Sequence, residues 1–283
     1  MVWKGLRRAA SCAGLVGGLL IAFAAEAADR PAYAPPDRPR ASLPKGCESP
    51  ADLTKLDANL PRTAARIARR EPLTIVALGS SSTSGAGASS PGRAYPAQLA
   101  RELERRLPGL PITVLNRGVG GETVVEMLAR FDRDVLSTKP DLIVWQMGTN
   151  SALRAHGLDT FRATVRQGLA RMRAAGIDVI LMDMQFAPRV LLQIEHATRM
   201  EGTIAELARE EKVPVFRRYA LMQHWVTAGQ LDFARMLSPD GLHLNDLSYR
   251  CIGRTLAASI VNEAGQPALA QSNMAYAEYA SAR

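Results

Sequence analysis

Cysteine is scarce, with three in 283 residues, too few to build a small disulfide scaffold. No H-E-x-x-H sequence and no paired C-x-x-C occurs, so no metal is expected. The phosphate-loop pattern G-x-x-x-x-G-K-[ST] is missing. The glycine-bearing stretch 79–85 does not match G-x-G-x-x-G either, which leaves a dinucleotide reading without its anchor, and no cofactor is expected. No internal repeat stands out. A polytopic membrane protein is excluded, because the one long apolar stretch lies at the N-terminus. The formal net charge is +8, yet Lys and Arg are spread along the chain among Asp and Glu. Without a basic cluster, no nucleic-acid partner is expected. What is present is ordinary globular material, 47% hydrophobic and 22% charged, and the length is ample for one α/β domain with extensions.

The two ends separate from the rest by composition. Lys4, Arg7 and Arg8 precede an apolar stretch over 9–24, and Ala25-Glu26-Ala27 supplies small residues at both key positions of a cleavage site. Residues 1–27 therefore read as a secretory signal. An uncleaved anchor is the competing reading, disfavoured by the short, Ala- and Gly-rich span. A periplasmic or secreted protein, with no stable membrane span after cleavage, is expected. Residues 28–46 carry Pro31, Pro35, Pro36, Pro39 and Pro44 among Arg and Asp, which reads as an extended linker. Residues 265–283, poor in aliphatics, read as a flexible tail. That leaves a domain over 47–264. Loss of the signal also removes Cys12 and leaves two cysteines, Cys47 and Cys251. In an oxidising compartment these are candidates for a disulfide, with Cα atoms within about 7 Å.

Within the domain, short apolar runs alternate with helical spacing. Ser49-Pro50-Ala51-Asp52 has the look of a capped helix start, followed by helix to about 70 with an interruption near Pro61. Continuous apolar runs at 73–78, 112–115, 141–146, 178–184 and 213–216 read as strands buried on both faces. Helical patterns fall at 95–107, 123–136, 160–174, 193–212 and 246–263. This alternation predicts a three-layer α/β/α sandwich around a five-stranded, parallel, doubly wound sheet of flavodoxin-like order. Such sheets bind ligands at the carboxyl ends of their strands.

Chemistry-bearing residues follow each strand. After the first comes Gly79-Ser80-Ser81-Ser82-Thr83-Ser84-Gly85, and after the second Asn116-Arg117-Gly118-Val119-Gly120-Gly121-Glu122-Thr123. Gly148-Thr149-Asn150 follows the third, Gln185 to Arg189 the fourth, and Ser238-Pro239-Asp240-Gly241-Leu242-His243 lies past the fifth. An Asp three residues before a His can accept the Nδ1 hydrogen and leave Nε2 facing a site. A capping pair is the plainer reading of those two residues alone. A serine beside such a histidine is an activated nucleophile, although a Gly/Ser turn after a strand also serves as a tight turn or a phosphate cradle. Gly118, Gly120 and Gly121 permit close backbone approach and can offer an N–H to an oxyanion, and the Asn150 amide can donate to the same atom.

In this order, over about 73–260, the blocks resemble the SGNH hydrolases, the GDSL-type esterase and lipase superfamily. The resemblance implies Ser81 as nucleophile, Gly121 and Asn150 as oxyanion donors together with the Ser81 N–H, and Asp240 and His243 as the remaining triad members. Two departures stand out: Ser80 replaces the Asp of G-D-S, and Ser151 replaces an Asp that often follows the third-block Asn. The implied chemistry is hydrolysis of a small ester, with a carbohydrate O-acetyl ester favoured, through an acyl-enzyme. A lysophospholipase or thioesterase, an envelope O-acetyltransferase and a silent binding domain are the alternatives. Gln185, Arg189 and Trp145 are further candidates for substrate contact.

Overall fold

The computed structural model describes residues 47–264; the expected signal, linker and tail lie outside the described residues. Five strands, β1 (Leu73–Gly79), β2 (Ile112–Gly118), β3 (Leu142–Gln146), β4 (Asp178–Met182) and β5 (Val215–Phe216), form one sheet in the order β2-β1-β3-β4-β5. Every pairing is parallel. The helices are α1 (Ala51–Thr54), α2 (Pro61–Arg69), α3 (Ser81–Ser84), α4 (Tyr95–Arg106), α5 (Val124–Ala129), α6 (Phe131–Asp134) and α7 (Thr149–Leu153). They continue with α8 (Leu158–Ala174), α9 (Pro188–Leu191), α10 (Ile194–Glu211), α11 (Arg218–Thr227), α12 (Phe233–Met236) and α13 (Asp246–Ala264). Against one face α4 packs on α13, and against the other α8 packs between α5 and α10. The expected doubly wound sandwich is therefore the observed fold.

All of β3 and β4 and all but Thr74 of β1 are buried, as central strands of a sheet covered on both faces must be. Trp145 in β3 shows how tightly the layers close. It is 0% exposed, its indole N–H meets Met127 Sδ at 3.4 Å, and a Cβ added at Gly168 of α8 would stand 2.5 Å from its ring. Trp145 is a core residue between sheet and α8, not the substrate contact suggested by its place near the strand end.

Several boundaries differ from the sequence expectation. The segment 49–70 is two helices separated by extended chain. Leu60 sits at φ −118°, ψ 68°, because the residue before a proline is pushed out of helical geometry. Ser49 caps nothing: Pro50 occupies the cap position, and the Ser49 hydroxyl donates to the Cys47 carbonyl (3.2 Å). The helix expected over 123–136 breaks at Arg130, whose guanidinium turns inward to the Gly79 and Arg117 carbonyls. Strand β5 has only two residues. Pro214 has no N–H to give and contributes only its carbonyl, to the Leu181 N–H (2.9 Å), as edge-strand prolines do.

At the amino ends of the strands, α2 closes the sheet. Asp141 accepts from Arg62 Nε (2.8 Å), Arg66 Nε (2.9 Å) and the Thr74 N–H (3.0 Å), and Asp178 accepts from the Thr63 N–H (2.7 Å). Cys47 and Cys251 are joined in a disulfide with Cα atoms 5.8 Å apart. The bond ties the start of the described chain to α13, as the sequence suggested.

Candidate active site

The loops at the carboxyl ends of the strands bring Ser81, His243 and Asp240 into one hydrogen-bonded line. His243 Nε2 lies 2.8 Å from Ser81 Oγ, and its Nδ1 lies 2.5 Å from Asp240 Oδ2. The other oxygen of Asp240 accepts from the Ser238 hydroxyl (2.8 Å), the Leu242 N–H (3.0 Å) and the His243 N–H (2.9 Å). Partial burial pushes the Asp240 carboxyl up, but hydrogen bonds from the His243 side chain, the two backbone N–H groups and Ser238 outweigh it. They hold the carboxyl well below the ordinary carboxylate range. A carboxylate so fixed stays charged and keeps the imidazole in one orientation.

The three consecutive serines face different ways. Ser80 is buried, and its N–H and hydroxyl both donate to Gln146 Oε1 (2.8 and 3.0 Å). The position that carries Asp in the family pattern thus serves here to tie the turn to β3. Ser82 is buried and accepts from Arg218 Nη1 (3.0 Å). Only Ser81, the first residue of α3, reaches His243. Gly118 ends β2 directly against α3: a Cβ there would stand 2.1 Å from the Ser84 nitrogen, so no other residue fits.

Beside this line, Gly121 adopts φ +81°, a left-handed conformation suited to glycine. Among the described residues, the N–H groups of Ser81 and Gly121 meet no acceptor. Asn150, in the first turn of α7, donates through Nδ2 to the Glu122 carbonyl (2.8 Å), and Arg154 donates to the Gly121 carbonyl (2.8 Å). The Gly121 loop is thus held from the β3 side, with one Asn150 amide hydrogen still uncommitted. Gly120 is open, with nothing among the described residues within 4 Å of a Cβ placed there.

The remaining candidates separate. Gln185 is buried and spends its amide on Thr149 Oγ1 (3.2 Å) and the Leu242 carbonyl (3.4 Å). It braces the α7 turn against the His243 loop and presents nothing to a substrate. Arg189 is exposed at the start of α9, and its backbone N–H donates to Gly241 O (3.3 Å), inside the turn between Asp240 and His243.

Sequence reasoning missed the support beneath the nucleophile. Arg218, fully buried in α11, donates to Ser82 Oγ, to the Met184 carbonyl (3.2 Å) and to the Asp183 carbonyl (2.7 Å). Asp183 and Glu201 lie beside it. Burial lifts Asp183 to about 6, and burial together with the charge of Asp183 lifts Glu201 well above the usual range. Arg130, tied to Glu122 (2.7 Å), bridges the ends of β1 and β2 in the same way. Neither arginine belongs to a motif. Arg218 stands beside Arg217 at the start of α11, and nothing in the sequence set it apart.

A model of the non-GDSL lipase-like family matches residues 46–266. Among curated proteins, the chain is 31% identical over 101 residues to an acetylxylan esterase of Geobacillus stearothermophilus and 32% identical over 121 residues to the esterase TesA of Pseudomonas aeruginosa. The first match covers 32% of this chain and 46% of the relative, the second 40% and 58%, so the chain spans about half the length of each. Among solved structures, a two-domain esterase active on acetylated mannans superposes with a TM-score of 0.60 at 23% identity, over 75% of this chain and 56% of that one. A catalytic mutant of an acetylxylan esterase from Geobacillus stearothermophilus gives 0.57 at 21% identity, over 66% and 94%. At these identities the structural likeness speaks for the fold.

Proposed function

The chain belongs to the non-GDSL lipase-like family, and from that premise we propose that it is a serine carboxylic ester hydrolase acting through Ser81, His243 and Asp240. The observation that carries the reading is the contact of His243 Nε2 with Ser81 Oγ at 2.8 Å, backed by Asp240 on the other ring nitrogen. His243 takes the Ser81 proton as Oγ bonds to the ester carbonyl carbon. The negative oxygen that develops is met by the N–H groups of Ser81 and Gly121 and the Asn150 amide. His243 returns the proton to the alkoxide as its bond to carbon breaks, leaving an acyl-serine. Water, deprotonated by His243, attacks the acyl carbon. The acid leaves, and Ser81 recovers its proton.

The favoured substrate is a small O-acyl ester on a carbohydrate. The acetyl-ester relatives support this, as does the lack of a long apolar insertion after β3 or β4 to hold a fatty acyl chain. The protein works in the periplasm or outside the cell. The signal pattern over 1–27 and the Cys47–Cys251 disulfide both suit an oxidising compartment.

The test is a panel of short-acyl, long-acyl and acetylated-sugar esters, run beside a fluorophosphonate label. Short-acyl and acetylated-sugar esters are expected to turn over, and the label to attach at Ser81. In Ser81→Ala, a folded protein should lose the label and at least roughly 10³-fold in activity. Near-native turnover by that variant, or labelling elsewhere, overturns the assignment.

A further inference from the structure

Arg154 follows α7, Arg189 opens α9 and Arg199 lies in the second turn of α10, all at the carboxyl end of the sheet, and none forms a salt bridge with a carboxylate among the described residues. Arg154 is held by the Gly121 carbonyl (2.8 Å). Arg189 is seated by its backbone N–H on Gly241 (3.3 Å). Arg199 lines a recess of about 200 Å3 together with Ser151, His156 and His196, and its one partner is the His196 ring nitrogen (3.1 Å). Arg154 and Arg189 are thus placed by segments that bear a proposed site residue or its neighbour, and Arg199 faces Ser151, the neighbour of Asn150, across the recess. All three side chains are exposed.

Three of the four carboxylates around them are already engaged. Asp240 is taken by His243. Glu122 is taken by Arg130 (2.7 Å). Glu126 is taken by the Thr123 hydroxyl and N–H, which hold its carboxyl below the ordinary range, with the Arg154 charge a smaller cause. Among the described residues, Glu195, exposed beside Arg199, has no partner. Elsewhere, arginines on the helical surfaces pair with acids: Arg162 with Glu206, Arg166 with Glu210 (2.6 Å), Arg171 with Asp132 and Arg173 with Glu211 (3.1 Å). Glu195 apart, these three guanidiniums therefore keep charge of the kind that the four flank arginines share with acids.

We propose that this cationic rim selects the substrate: the ester hydrolysed at Ser81 is carried on a saccharide that also bears carboxylates, which Arg199 and Arg189 receive. The proposal rests on the esterase reading above and adds the charge of the substrate to it. Exposed guanidiniums steer an anionic chain toward the site and weight the encounter by charge. The recess between the α7 turn and α10 is where a residue flanking the ester would lie.

The experiment compares kcat/KM for O-acetylated oligogalacturonate with that for O-acetylated xylo-oligosaccharide of equal length, with 4-nitrophenyl acetate as the uncharged reference. The wild-type ratio of acidic to neutral saccharide is expected above unity at low salt. It should fall toward unity at roughly 0.5 M salt, where the screening length is only about 4 Å. Arg199→Gln should lower the ratio about fivefold, the scale of an exposed ion pair, and adding Arg189→Gln should lower it further. Arg69→Gln, at the far end of the sheet, carries the same charge change and should leave the ratio alone. A wild-type ratio at or below unity, or an equal change in Arg199→Gln and Arg69→Gln, overturns the inference while 4-nitrophenyl acetate hydrolysis stands. Hydrolysis of none of the three esters overturns the esterase reading itself, and the inference with it.

Discussion

The two ends of the sheet use the same residue types to opposite effect. At the amino ends, Asp141 collects two guanidiniums and a backbone N–H, and Asp178 collects another backbone N–H, so both carboxylates are answered within the fold. At the carboxyl ends, Asp240 is equally well answered, but among the described residues the N–H groups of Ser81 and Gly121 meet no acceptor and three guanidiniums meet no carboxylate. A parallel sheet makes this asymmetry natural. Strand-to-helix loops gather at one end, where first helical turns expose unpaired N–H groups, and the other end can be closed over. Satisfied groups hold the fold, and unsatisfied ones are available to a substrate.

If that division is right, substitutions at the two ends separate activity from stability. The largest effect beyond loss of Ser81 belongs to Asn150→Ala, which should lower kcat about 10²- to 10³-fold, the scale of one oxyanion donor, with the thermal midpoint little changed. A loss confined to KM would place Asn150 in binding instead. Removal of the disulfide by Cys47→Ala with Cys251→Ala comes next. It should cost about 3 kcal/mol in denaturant unfolding, while ester hydrolysis at 25 °C persists, because the bond lies behind α13 and not in the line of Ser81, His243 and Asp240.

At the amino ends, Asp141→Asn should cost about 2 kcal/mol. This is less than for a fully buried pair, since Arg62 and Arg66 remain about a third exposed and can turn to water. Its kcat should match the wild type, and a large kcat loss would break the division between the two ends.

The smallest effect sharpens the comparison at the support beneath α3. Asp183 is raised from 3.8 to about 6, chiefly by burial. The folded protein therefore binds that proton more tightly than the unfolded chain, and the stability it lends is present below about pH 4 and lost as pH rises through about 6. Asp183→Asn, neutral at every pH, lacks this loss. Its thermal midpoint should gain on the wild type between pH 4 and 7, and parallel melting curves would contradict the assignment.

Much of this was legible in the chain because it rests on local signals. Continuous apolar runs such as 142–146 name a strand buried on both faces, and His243 follows Asp240 by three positions on one turn, whatever surrounds them. The short helices α3, α7, α9 and α12 escaped, because one turn of helix shows no period. Gln185 and Trp145 were misplaced for a related reason. Nearness to a strand end says where the backbone is, and the side chain's face depends on its neighbours: Thr149 and Leu242 for Gln185, Met127 and Gly168 for Trp145.

The sequence by itself determined the sheet, the order of the blocks and the identity of the cysteine pair, since each follows from pattern, spacing or elimination. Tertiary structure decided what Ser80 and Ser82 do beside Ser81, tied to Gln146 and Arg218, and that Arg218 and Arg130 brace the site from within. It also left Arg154, Arg189 and Arg199 without a salt bridge among the described residues. Those outcomes depend on contacts between segments as many as 162 residues apart, and a pairing at that separation is set by how the layers pack, which no local propensity encodes.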